Sequence, residues 1–213
     1  MIERIQSIFI IPELRRRILF TLSLLIVVRV GAHIPIPGVD GEALAGAFTN
    51  MQNSLFGLFN TFVGGAFEKA SLFSLGIMPY ISSSIIIQLM GSVVPYFQRL
   101  QKEGEAGRKK ITQITRYGTV FLASMQSYGV VAVFLPSLTA NGQPVVFNPG
   151  MMFTFTGIIS MVTGTLFLMW LGERITERGI GNGISLIIMV GIVAAFPNVI
   201  LSEITLVREG VRG

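Results

Sequence analysis

The chain has 213 residues, 51% hydrophobic and 13% charged, with a net charge of +5 and no cysteine. Its mean hydropathy of +0.69, with charge at about half of the roughly 25% usual in soluble domains, places most of it in lipid. The lack of cysteine excludes disulfides, thiolate metal sites and cysteine nucleophiles, and the apolar runs lack the two-residue alternation of barrel strands, so an all-α membrane protein is expected.

Apolar runs bounded by charge, Pro or Gly predict five transmembrane helices, at 18–36, 72–94, 115–135, 151–171 and 184–201. The first leads into IPIPG at 34–38 without a small-residue cleavage pattern, so it is expected to be retained. It carries one embedded charge, Arg29. Either a partner on another helix or chain holds that guanidinium, or it snorkels to the external interface.

The next charge-free stretch, 43–67, contains Gly46, Asn50, Gln52, Asn53, Gly57, Asn60, Gly64 and Gly65, too much polarity and glycine for lipid contact. Leu55, Leu58, Phe59 and Phe62 share a face by their spacing, which predicts about three helical turns, only ~15 Å long. Gly64 and Gly65 stop that helix. A segment this short cannot span. It enters as a re-entrant or external plug lining a cavity, or it is a surface loop with one amphipathic turn.

The second span opens awkwardly, because Pro79 lacks an N–H and restricts Met78, so Gly76 to Pro79 is a helix start or a kink. Ile77 and Ile81 stack four residues apart, and Ile184 and Ile188 repeat the spacing just after GIGNG at 179–183. Such pairs can form half of a hydrophobic constriction. They can equally face lipid or a core, and periodicity does not separate them from Ile85, Ile86 and Ile87.

Counting Arg116 at the very start of the third span, twelve of the sixteen basic residues fall before the first span, between the second and third, or between the fourth and fifth. That puts the N-terminus in the cytoplasm and the end of the fifth span outside. Topology and anionic lipid account for the positive charge, so nucleic acid is not an expected partner. The stretch 98–116, with Arg108, Lys109 and Lys110, is a solvated topology signal or a docking surface for a cytoplasmic partner, and the stretch 173–178, with Arg174 and Arg178, belongs to the same topology signal.

Catalytic chemistry is hard to assemble here. His33 is the sole histidine, Ser82 to Ser84 have no base on their own span, and every Asp and Glu lies outside the predicted spans. No enzyme, metal site or cofactor is expected. A secondary transporter of a small solute, built on inverted repeats with a helix broken at Gly76 to Pro79, is the competing reading, but it would ordinarily carry an intramembrane carboxylate.

Five segments, IPIPG (34–38), FNTFVGGAF (59–67), GIMPYISSSIIIQL (76–89), EGEAGRKKITQITRYGT (103–119) and GTLFLMWLGERITERGIGNGIS (164–185), together resemble the N-terminal half of the SecY family of bacterial protein-conducting channels. The resemblance implies five of the ten helices of an inverted-repeat channel plus a short plug helix. It implies a pore ring including Ile77, Ile81, Ile184 and Ile188. The plug, at about 53–65, would include Asn53, Leu55, Phe56, Leu58, Phe59, Phe62, Gly64 and Gly65. Ile85, Gln88, Leu122 and Gln126 would line a lateral gate that releases signal sequences and membrane segments into lipid. Implied partners are the C-terminal half of the channel, as a separate chain or the rest of a longer protein, SecE, SecG, the ATPase SecA or a ribosome, and the translocating polypeptide, all at the bacterial plasma (inner) membrane.

Overall fold

The computed structural model describes residues 11–49, 55–140 and 143–208. Helix α1 spans Pro12–Gly31, α2 Gly41–Thr49, α3 Leu55–Phe62, α4 Met78–Val93, α5 Pro95–Lys102 and α6 Glu105–Tyr128. The last turns of α6 widen into a π-helix at Gly129–Phe134 and close with Leu135–Ser137; α7 is Met151–Arg178 and α8 is Gly183–Arg208. A two-residue hairpin, β1 (Thr139–Ala140) against β2 (Gln143–Pro144), sits in the turn between α6 and α7.

Two of the described helical runs, Glu105–Ser137 and Met151–Arg178, are long and apolar enough to cross a membrane. The pair α4 and α5 forms a third only if counted as one span bent by 98° at its break. Val94 adopts the extended conformation demanded of a residue before proline, and Pro95 starts a new helix. Helix α5 then lies against α6, with Leu100 buried and its carbonyl so close to Gly107 that a Cβ there would collide.

Helices outrun the hydrophobic stretches that predict them. The run expected at 115–135 lies inside a helix that starts at Glu105, and α7 continues to Arg178, so 173–178 is helix rather than loop. Lys, Arg and Glu are strong helix formers, so charge ends the lipid-facing stretch without ending the helix. At the first span the shift is toward the N-terminus: α1 already contains Arg15 to Arg17 and stops at Gly31.

Residues 72–77, expected to be helical, form tight turns instead, with Gly76 at φ +59°. Phe73, Leu75 and Ile77 are apolar because they are buried in protein, not because they face lipid. Ser71 Oγ accepts from the Phe73 amide at 3.1 Å and Ser74 Oγ donates to the Ala66 carbonyl at 3.2 Å, which removes the cost of burying both hydroxyls.

The IPIPG segment clamps these turns. The Ile36 amide donates to Ala70 O at 2.8 Å, and the Leu72 amide to Ile34 O at 3.0 Å. Asp40 caps α2 by accepting from the amides of Glu42 and Ala43 at 3.0 and 3.1 Å. Its own amide donates to Val145 O at 2.9 Å, which ties the turn after α6 into the same unit. One apolar cluster, with Ile36, Leu44, Phe67 and Val146, fills this region; a second, with Leu25, Phe73, Leu171, Ile175 and Ile187, joins α1, α7 and α8.

Candidate functional site

The two isoleucine pairs come together. Ile77, Ile81 and Ile188 line one cavity of about 180 Å³, and Ile184 packs with them in the same apolar cluster while lying outside the cavity lining. Ile85 and Ile86 are exposed and, with the half-buried Ile87, lie outside the cavity lining, so the structure distinguishes residues that periodicity leaves alike.

Local chemistry sets the register of each pair. Pro79 near the helix start fixes where α4 begins and leaves Ile77 at its N-cap, buried. On α8, Gly181 at φ +69° turns the chain, and Asn182 Oδ1 accepts from the amides of Ile184 (3.0 Å) and Ser185 (3.3 Å). The Gly183 amide donates to Thr176 Oγ1 of α7 at 2.9 Å. Removing the cap with Asn182→Ala should cost ~1 kcal/mol of stability, seen as a lower thermal midpoint in detergent; an unchanged midpoint would show that the α7 contacts alone hold the helix start.

The end of α3 contributes Phe62, and the residue after it Val63, to the lining of the same cavity. The other aromatic residues of α3 point elsewhere. Phe56 stacks on Phe134 at 4.6 Å between ring centroids, and Phe59 meets Phe67 edge-on at 5.2 Å. Phe67 also contacts Phe48 (5.4 Å) and Phe134 (5.7 Å), making it the hub of five rings drawn from four segments. Leu58 is 60% exposed. Asn53 lies outside the described residues.

After α3 the chain turns through Gly64 (φ +67°) and Gly65 (φ +78°), a conformation glycine adopts without strain. Asn60 straps that turn, since its Nδ2 donates to Glu68 Oε2 at 2.7 Å and its Oδ1 accepts from the Glu68 amide at 3.1 Å. Arg29, whose partner the sequence leaves open, donates from Nη1 to Gly64 O at 3.3 Å.

Ile85 and Gln88 on α4, and Gln126 on α6, are exposed, and Leu122 is half-buried. Gln88 Nε2 donates to Ser84 Oγ at 3.1 Å. Behind this face α4 and α6 are tied by Ser83 Oγ donating to Thr115 O at 2.8 Å, and α6 and α7 by a two-pronged pair of Arg116 Nε and Nη2 with Glu173 at 3.1 and 2.6 Å. Arg108, Lys109, Lys110 and Arg178 are exposed. Arg174 is engaged locally, 2.9 Å from Glu177 and over the Trp170 ring at 5.6 Å. Sequence reasoning misses the Phe67 hub, the Asn60–Glu68 strap and the Arg116–Glu173 link. The embedded charge of Arg29 was the one signal that a partner existed.

A family model for SecY matches residues 71–211. The chain is 54% identical over 198 residues to the protein translocase subunit SecY of Buchnera aphidicola subsp. Acyrthosiphon kondoi, covering 93% of this chain and 55% of that protein. Identity is also 54% to that subunit of Escherichia coli K12, covering 44% of it, and 50% to that of Rickettsia bellii, covering 46%. The chain thus spans about half the length of these relatives. Among solved structures, it superimposes on Sec61 from a canine ribosome-channel complex with a TM-score of 0.60 and 17% identity, over 83% of this chain and 36% of that one. A SecY channel, described by its plug domain stabilising the closed state, gives 0.59 and 19% over 83% and 35%. These likenesses show the fold.

Proposed function

Because the chain belongs to the SecY family, we propose that it supplies half of a protein-conducting channel, passing unfolded polypeptide across the membrane and releasing hydrophobic segments sideways into lipid. The observation that carries this reading is one cavity lined jointly by Ile77, Ile81 and Ile188 and by Phe62 and Val63 at the end of α3. Apolar walls at a narrow point exclude water and ions while remaining able to fit around a peptide of any sequence. In this reading Ile184 completes this half of the ring, and α3 with its flanking residues, 53–65, is the plug.

Ile85, Gln88, Leu122 and Gln126 form one wall of the lateral gate, and the C-terminal half of the channel forms the other. The basic residues Arg108, Lys109, Lys110, Arg174 and Arg178 face the cytoplasm and dock SecA or a ribosome, with SecE and SecG bound alongside in the plasma (inner) membrane. The N-terminus is then cytoplasmic, and the end of α8 is external. The chain catalyses no reaction of its own and takes its energy from the partner. The family matches favour this reading over a small-solute transporter.

The test is crosslinking in the complete channel. With cysteine at Ile81 or Ile188, a stalled precursor carrying one cysteine in its translocating stretch should form a disulfide there, whereas cysteine at the exposed Met151 should form none. Absence of crosslinks at both ring positions, with translocation intact, would overturn the assignment.

A further inference from the structure

We propose that Arg29 is the positioning residue that keeps the plug seated: from the last turn of α1 its guanidinium holds the Val63–Gly64 turn against the backbone of α8 and thereby sets how often the constriction is uncovered. The inference rests on the pore and plug reading above.

Three surfaces fit that turn closely. A Cβ built on Gly64 would lie 2.8 Å from Arg29 Nη1, 2.9 Å from Gly191 Cα and 3.0 Å from Gly191 O. A Cβ on Gly76 would lie 2.7 Å from Val63 Cγ1. The seat therefore has one wall from α1, one from the turn before α4 and one from α8, and it admits only a residue without a side chain, in the left-handed conformation that Gly64 adopts.

Arg29 suits a releasable contact. It lines the cavity beside Ile77 and Ile81, and among the described residues no carboxylate lies within ion-pairing distance of it. Its charge falls instead just past the C-terminal end of α3, on the Gly64 carbonyl, where the negative end of the helix dipole favours a cation. The hydrogen bond, at 3.3 Å, is longer than the usual ~2.9–3.0 Å of a strong one. Because Asn60 and Glu68 strap the turn internally, the turn keeps its shape when the Arg29 contact breaks, and the ring contacts of Phe56 and Phe59 with Phe134 and Phe67 are what remain to be broken.

The experiment uses the complete channel reconstituted in planar bilayers and in vesicles. Arg29→Gln and Gly64→Ala should each lower the seated-to-unseated ratio about tenfold, equivalent to ~1.4 kcal/mol, and raise resting ion conductance in step. Arg29→Lys should recover part of the loss. A Val63→Cys variant reports the seat directly: a membrane-impermeant maleimide should label it about tenfold faster when Arg29→Gln is added. An Ala123→Cys variant, at a fully buried position, should stay unlabelled in both backgrounds.

Deletion of residues 55–65 separates the two levels of the claim. If the deletion leaks and Arg29→Gln changes neither conductance nor Val63→Cys labelling, the role of Arg29 is overturned and the plug reading stands. If the deletion itself does not leak, the plug reading fails and takes this inference with it. If Arg29→Gln adds further leak on top of the deletion, Arg29 acts on something other than the plug and the inference is overturned.

Discussion

Asparagine at Ile81 and Ile188 together should raise the resting ion conductance of the complete channel by about an order of magnitude, because each ~1.4 kcal/mol removed from the barrier to water and ions is tenfold in rate. Both side chains line the cavity and are only half-buried, so the amides can hydrate without breaking the core. Ile77 is a poorer position for this test. It is 4% exposed, and a polar group there would destabilise the helix start before it wetted the constriction. Leucine at the same two positions should leave conductance near its original value, since the wall stays apolar. Planar-bilayer recordings decide the matter: a double asparagine variant that conducts no more than the parent would remove these residues from the barrier.

The largest effect on stability should come from Phe67→Ala, at about 3–5 kcal/mol. Phe67 is 4% exposed and meets Phe48, Phe56, Phe59 and Phe134 at ring-centroid distances of 5.4, 6.5, 5.2 and 5.7 Å. Its removal opens a void shared by α2, α3 and the π-helical end of α6, and none of those elements can close it alone. Phe67→Leu keeps most of the volume and should cost much less. Thermal unfolding of the purified complex in mild detergent measures the difference. Equal midpoints for the alanine and leucine variants would mean that the void is not what costs stability.

The placement of the two isoleucine pairs follows local rules. A proline near a helix start and an asparagine cap set the register of two isoleucine pairs, and both signals lie within a few residues of what they position. The all-helical class follows from composition and lipid. What spacing cannot encode is contact between distant segments. The five rings of the Phe67 cluster come from residues 48, 56, 59, 67 and 134, and no periodicity links the last to the others. The turns at 72–77 read as membrane span because hydropathy does not distinguish burial in protein from burial in lipid. Charge likewise misplaced the ends of α6 and α7, since it marks where lipid stops rather than where a helix does.

The sharp bend after Val93 has one more consequence. Helix α4 has 16 residues, which at 1.5 Å per residue is about 24 Å, roughly 6 Å less than the ~30 Å thickness of a bilayer's hydrocarbon. Leu89 and Val93 on it are exposed, and a bilayer meeting that helix directly would thin locally to match it, a hydrophobic mismatch. A segment departing past α4 would then meet thinned lipid, where the distance its own polar ends must travel to reach headgroups is shorter.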